Sequence, residues 1–461
     1  MTTLSLQRSL RIASALILLV VSPVLHAQTY TELHNFDCVK DGCNPNLPAL
    51  LAQGQDGSLY GTMPTQTFGD GTVVGYALSG TFSTLYNFLG NDGFSPQSGL
   101  SLGFDGNLYG TTTNGGPLGK GTVFKVSGGA VTVLYDFTDG ADGAYPWAPP
   151  IQAPDGNIYG VTYNGTTPGT AYRITPSGTF SVIANLPSET QAPLILGKDG
   201  KLYGTTPDGG TYNRGTVFQL TIAKKTKLKI IHSFNPSTEG SIPGGPVMQA
   251  IDGKLYGITG WGGTYGQGIV YQVTSGGAYK VLHNFQAATE GNNSAAGLVQ
   301  GSDKFLYGVM PLGGPNGYGT LFKINATGKT FAVLYTFDDA TGGYPSSTPT
   351  LHTNGTIYGL TTKGGSQNPA DGVLYSFNNG LKPFASLVVI WSGKVGTSVG
   401  ILGQGFSTAT GVKFGAGTGT FTLVSDTYMI AKPAAGATTG NVTVLEPGGN
   451  LVTPQVFKVI P

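Results

Sequence analysis

The sequence predicts an all-β chain, a seven-bladed β-propeller followed by a small immunoglobulin-like β-sandwich. Three observations carry this. A Leu/Ile-Tyr-Gly triplet recurs seven times, about every 50 residues, at Tyr60, Tyr109, Tyr159, Tyr203, Tyr256, Tyr307 and Tyr358, a period that suits one four-stranded blade per repeat. Short β-branched and aromatic runs alternate with Asp-Gly and Gly-Gly turns, as hairpins require. After residue 385 the repeat stops and many short strands follow at close spacing.

The chain opens as an exported precursor. Arg8 and Arg11 form a basic start, residues 12–21 an apolar stretch and Leu25-His26-Ala27 a cleavage site, so residues 1–27 read as a signal peptide. The stretch is shorter than the roughly 20 residues of a membrane span, and no second one follows. The expectation is a mature protein that is secreted or held at the cell surface, with no membrane span.

Composition narrows the partners. The formal net charge is +1, and losing Arg8 and Arg11 with the leader moves it only two units, which leaves no electrostatic footprint for nucleic acid. The one basic cluster, Lys224, Lys225, Lys227 and Lys229, falls at a hairpin. Charged residues make up 10% of the chain and Gly 75 of its 461 residues, which fits tight turns and blades buried on both faces. Cys38 and Cys43 are close in sequence, and in an exported protein they read as a small disulfide loop pinning the N-terminal segment.

The second repeat shows the unit. Strands are predicted over 100–104, 108–112, 122–126 and 131–137, joined by Asp105-Gly106, a Gly-rich loop over 114–120 and Ser127-Gly128-Gly129. A long loop over 138–150 leads to the next unit. Asp56-Gly57, Asp155-Gly156, Asp199-Gly200, Asp252-Gly253 and Asn354-Gly355 repeat the first turn, and Ser302-Asp303-Lys304 departs from it. The third strand recurs around Tyr172, Phe218, Tyr271, Phe322 and Tyr375, and in altered form at Tyr76. One copy of the fourth, Leu33-His34-Asn35-Phe36, stands before any triplet. It is expected to complete the last blade and close the ring, in preference to a competing segment over 381–387. Successive connections alternate between the two ends of a blade, so the long loops share one face, the expected surface for recognition.

Two family resemblances follow from particular residues. Gly396, Val399, Ile401, Gly403, Gly405 and Phe406 fit the G-x-x-V-x-I-x-G-x-G-F opening of the IPT/TIG immunoglobulin-like domain, while Pro433 stands three residues before Gly436 and matches the later element loosely. That resemblance covers residues 386–461 and implies a fold, not a ligand. Leu108-Tyr109-Gly110-Thr111-Thr112, Gly115-Gly116, Gly121-Thr122-Val123-Phe124-Lys125 and Val133-Leu134-Tyr135-Asp136-Phe137 resemble the GloVer tandem repeat of exported bacterial proteins. It would cover residues 28–385. In that family the repeats are commonly paired with varied C-terminal modules, choice-of-anchor types among them, and no agreed activity comes with the resemblance.

Chemistry is sparse. His34, His232 and His283 sit where other repeats have Tyr86, Tyr135 and Tyr335, so they read as packing positions, and His352 has no visible partner. No nucleophile elbow, zinc spacing or cofactor motif is present, so no catalytic residue, metal or cofactor is assigned. Asp139, Asp142, Asp208, Glu239, Glu290 and Asp338 lie in the long loops. They read first as turn formers through side-chain to backbone hydrogen bonds. Paired across blades near the channel, such acids would instead make a hydrolase or lyase. Tyr145, Trp147, Tyr212, Trp261, Tyr265 and Tyr318, with Phe94 and Tyr344, fall in the same loops, where exposed rings suit stacking against sugars or gripping a peptide. The leading expectation is a non-catalytic extracellular binding or scaffold protein, with an extracellular glycan or a cell-surface protein as its partner. A polysaccharide-active enzyme and a purely structural surface component are the alternatives.

Overall fold

The computed structural model describes residues 28–42, 51–64, 69–165, 168–222, 226–366, 371–388 and 390–460. The expected signal peptide and Cys43 lie outside them. Cys38 is disulfide-bonded.

Seven antiparallel sheets form the ring. In the second, Ser101–Leu102, Leu108–Thr112, Thr122–Ser127 and Ala130–Asp136 run from the centre outward. The innermost strand has two residues, as in every blade, and those of neighbouring blades approach one another around the central channel.

The triplet has a physical reading. Its Tyr hydroxyl donates to the Asp of the preceding turn, Tyr109 to Asp105 at 2.6 Å, Tyr203 to Asp199 at 2.8 Å and Tyr256 to Asp252 at 2.7 Å. The same carboxylates accept the backbone N–H two residues on, from Asn107, Lys201 and Lys254, which is an Asx-turn. The triplet Gly leaves room for the aromatic ring of the third strand. A Cβ on Gly204 would lie 2.5 Å from Phe218 Cζ, and one on Gly110 2.5 Å from Phe124 Cζ. The departure at 302–304 is milder than the sequence implies. Asp303 still accepts from Tyr307 at 2.7 Å, and Lys304 takes the left-handed turn position at φ 69° that Gly fills elsewhere. In the first blade Gly61 pairs with Val74, while Tyr76 pairs with Leu59. Tyr76 therefore ends the third strand and does not take the site opposite the glycine.

The ring closes as expected. Thr29–Asn35 pairs antiparallel with Val373–Asn378, Tyr30 opposite Phe377 and His34 opposite Leu374. The competing region contributes Ser386–Val388, which pairs with Val399–Leu402 instead. Rings on the outer strands then stack from blade to blade. Tyr135 lies on Phe180 at 3.8 Å, His232 on Tyr279 at 4.0 Å and His283 on Phe331 at 3.9 Å. Both seams of the composite seventh blade use the same device, Tyr335 on Tyr30 at 4.1 Å and His34 on Phe82 at 3.8 Å.

The C-terminal module is one eight-stranded hydrogen-bonded sheet. Its two edges, Ser386–Val388 and Ser392–Gly393, are nearly consecutive in the chain, so the sheet must curl until its ends approach. It closes on a core that includes Ile401, Phe414, Met429, Val442 and Phe457. Hydrogen bonding thus runs through all eight strands as one continuous half-barrel path.

This module sits on the short-turn face of the propeller. Ser425 Oγ and Thr427 Oγ1 donate to the carbonyl of Gln55, the latter at 2.7 Å. Thr353 Oγ1 donates to the Gly403 carbonyl at 3.0 Å and accepts from Gln404 Nε2 at 2.8 Å. Val388, Leu402 and Tyr428 pack with Leu102 and Phe104. Beside this contact is His352, fully buried. Its Nε2–H donates to the Gly57 carbonyl at 2.9 Å and its Nδ1 accepts from Asn354 N–H at 3.1 Å. Both ring nitrogens are satisfied by a neutral ring, and burial lowers the His352 pKa below its ordinary 6.5.

Candidate ligand-binding face

The channel comes first, because hydrolytic propeller chemistry needs acids there. A cavity there is lined by inner-strand residues such as Ser101, Ile151, Gln152, Ile195 and Met248, together with Trp391 from the module. No carboxylate, histidine or cysteine is among them. The acids lie farther out; Glu239, Glu290, Asp142 and Asp338 order their own loops, while Asp139 accepts from Lys120 of the preceding loop. Glu239 accepts from the backbone N–H of Asn235 at 3.2 Å and pairs with His232 Nε2 at 2.9 Å. Glu290 does the same with Gln286 N–H at 2.9 Å and His283 at 2.9 Å. Asp142 accepts from Thr138 N–H at 2.8 Å and Tyr135 at 3.1 Å, and Asp41 pairs with His34 at 2.8 Å. Asp338 accepts from Thr341 N–H at 2.8 Å. At His34, Tyr135, His232 and His283 the Tyr/His interchange has one basis, since either ring stacks on the next blade and presents a polar atom to the loop acid seven residues on, whereas Tyr86 reaches Asp92 and Tyr335 bonds the Thr341 hydroxyl.

The long loops do share a face, and they are tied to one another. Backbone bridges join Phe94 to Asn114, Ala144 to Asn164 and Asn292 to Leu312, and Gly240–Ser241 pairs with Trp261–Gly262. A further device was not anticipated. Tyr145, Ile242 and Tyr344, each followed by proline, adopt φ of 54°, 59° and 59°. Their N–H groups donate to the carbonyls of Lys120, Arg214 and Tyr318 in the preceding blade, at 2.9, 3.1 and 2.8 Å. Left-handed backbone at such residues costs about 1–3 kcal/mol, which the surrounding bonds must offset. The recurring X-Pro pair was the available signal.

The predicted aromatic residues therefore divide into two groups. Tyr145 is pinned, its hydroxyl accepting from Lys120 Nζ at 3.0 Å while that ammonium also meets Asp139 at 2.6 Å. Trp147 is half-buried beside Tyr163, with centroids 6.1 Å apart. Tyr318 packs edge-on to Tyr344 at 5.4 Å. By contrast, Tyr212 is 51% exposed, Trp261 47%, Tyr265 53% and Phe94 38%. Trp261 and Tyr265 share the Gly-rich loop of the fifth blade, and Tyr212 holds the position equivalent to Tyr265 in the fourth. Leu118, 58% exposed, is the same tip in the second blade.

These features define the class: a seven-bladed propeller with one face roofed by a β-module and the other carrying exposed rings. Within that class, the chain belongs to the Gloeobacter/Verrucomicrobia repeat family, whose sequence profile matches residues 20–196 and 189–424. The second match runs past the last propeller strand into the module. No curated protein matches the chain. Among solved structures, a gluconolactonase from Xanthomonas campestris is similar over 61% of this chain and 86% of its own, at 15% identity and a TM-score of 0.39. Puromycin hydrolase is similar over 72% of this chain and 52% of its own, at 13% identity and 0.48. TolB from Acinetobacter baumannii is similar over 70% and 80%, at 14% identity and 0.38. At these identities no substrate transfers to this chain. Among the described residues no helix is long and apolar enough to cross a membrane.

Proposed function

We propose that this protein is a non-catalytic binding module acting outside the cell or at its surface, which takes carbohydrate on the long-loop face of the propeller. The observation that carries the reading is the group of exposed rings Tyr212, Trp261 and Tyr265 on two neighbouring blades. Trp261 is held by strand pairing to residues 240–241, so its ring is offered from a rigid support, and little ordering entropy is lost on stacking. The opposite face is occupied by the module, which we take to be an IPT/TIG-like domain of immunoglobulin type. Hydrolysis is the weaker reading, because Glu239 and Glu290 are engaged by backbone N–H groups of their own loops and the described residues around the channel cavity include no carboxylate.

A glycan array probed with residues 28–461 tests this. Selective binding is expected, weakened about tenfold or more in a Trp261→Ala/Tyr265→Ala variant, since truncation removes both apolar ring faces on which a sugar would stack. An array with no selective binding overturns the carbohydrate reading.

A further inference from the structure

A second site lies between the first two blades at their short-turn end, away from the aromatic face. Its origin is one missing side chain. Lys125, Arg173, Gln219, Gln272 and Lys323 stand opposite the triplet Tyr in blades two to six, and Ser376 in blade seven. Directly opposed residues project from the same face of a sheet. Gln219 and Gln272 use the position to donate from Nε2 to the Tyr hydroxyl oxygen, at 2.9 and 2.7 Å. The first blade places Gly75 opposite Tyr60 instead. The backbone does not call for glycine there, because Gly75 is not left-handed. A Cβ on it would have the Tyr60 ring at 3.2 Å and Leu85 at 3.4 Å as its nearest neighbours.

The result is a cleft of about 440 Å3, walled by Tyr60, Leu85, Leu108 and Val126, with Gln55 and Asp56 at its turn. That volume is within the roughly 300–1,000 Å3 range of small-molecule pockets. The equivalent cleft between the second and third blades has Asp105, Tyr109 and Leu134 in the same places. Lys125 stands in its wall, and it is smaller, about 360 Å3.

Charge is also left open in the first blade. Asp56 is exposed and lines the cleft. Its carboxylate accepts from the Tyr60 hydroxyl at 2.8 Å and from Ser58 N–H at 3.1 Å, which leaves acceptor sites to spare. In the fourth and fifth blades the lysine two residues on meets the same carboxylate, Lys201 to Asp199 at 2.9 Å and Lys254 to Asp252 at 3.7 Å. Residue 58 is Ser, and among the described residues Asp56 has no ion-pair partner.

We infer that this cleft takes a cation carried on an alkyl stem, an alkylammonium or alkylguanidinium group, its head at Asp56 and its stem against Tyr60 and Leu85. Such a ligand supplies from outside what Lys125 or Arg173 supplies from within the chain. Long cationic side chains pack their stems on apolar surface in the same way. An anion is disfavoured by Asp56, and a neutral apolar ligand would desolvate that carboxylate without pairing it. The chemistry is shared by a free amine and by a Lys or Arg side chain of a partner.

The test is a ligand-observed NMR titration of residues 28–461 with butylguanidinium, beside 1-butanol and butyrate as controls. Saturable binding of the cation alone is expected. It should weaken about threefold to fivefold in Asp56→Asn, the worth of one partly screened ion pair. That variant keeps the turn, since Asn354 does the same work in the seventh blade, accepting from Thr356 N–H at 2.9 Å and donating to Tyr358. Gly75→Lys refills the cleft with the residue of the second blade and should abolish binding. Absence of saturable binding overturns the inference, as do equal binding of 1-butanol and an affinity unchanged in either variant. N-acetyl-arginine methylamide separates the sources: binding by it as well supports a side chain of a partner, and binding by butylguanidinium alone supports a free amine. Glycan binding is read on the opposite face, so failure here leaves that proposal standing.

Discussion

The two faces of the propeller are built on opposite principles. On the short-turn face nearly every blade repeats one bond, a triplet Tyr to a turn Asp, within a narrow range of distance, and the module lies over those turns. On the long-loop face the backbone ties recur but the side chains at the tips change from Leu118 to Tyr212 to Tyr265. Repetition therefore resides where the blades must be alike to close a ring. Variation resides where the backbone is already satisfied and side chains are free to differ.

Substitutions can break this contrast. The largest expected effect is Gly204→Val, which drives a side chain into Phe218 and should cost about 3 kcal/mol in thermal or denaturant unfolding. Its counterpart Gly266→Ala, at a loop tip with φ 72° and nothing within 4 Å, should cost only about 1 kcal/mol. Next, Asp252→Ala leaves the Tyr256 hydroxyl without its acceptor and should cost about 2 kcal/mol. Asp252→Asn should recover most of that, since Asn354 already serves the seventh blade by donating to Tyr358 at 3.0 Å.

A pH series sharpens the comparison further. His352 is buried neutral, with its pKa lowered by desolvation, so the unfolded chain takes up the proton more readily than the folded one. Stability is complete above the ordinary value of 6.5 and falls as pH drops through it. A His352→Gln variant should lose less stability than the parent between about pH 7 and 5, measured by chemical unfolding. An identical acid limb in both would remove His352 from the account. Smaller still, Lys304→Gly relieves a left-handed residue and should stabilise by about 0.5 kcal/mol in the same assay. The Trp261→Ala/Tyr265→Ala pair should change stability by less than about 0.5 kcal/mol while weakening glycan binding about tenfold or more, as befits exposed positions.

The repeat, its turns and the closing strand were legible because each is a local pattern, a triplet or a turn pair copied at a fixed period. Leu33-His34-Asn35-Phe36 was readable as a displaced fourth strand for the same reason. The seating of the module was not, because Ser425 and Thr427 bond a backbone carbonyl, a contact that any small hydroxyl can make and no pattern announces. His352 looked partnerless in sequence because its acceptor is the carbonyl of Gly57, 295 positions away. Which aromatic residues stand free was equally hidden. Tyr145 and Tyr212 are both loop tyrosines in sequence, and only the lysine beside one of them distinguishes their fates. Trp391 carried no signal at all, since its place in the channel depends on how two units dock.

Ring closure also decides how the molecule responds to force. Thr29 lies opposite Asn378, so the chain enters the N-terminal strand and leaves its partner at the same end of the pair. Tension drawing those two points apart loads the hydrogen bonds in succession, not all at once. The seventh blade is thus a zipper with its tab at the seam. It should peel at low force while the six continuous blades, each covalently a single segment, remain intact.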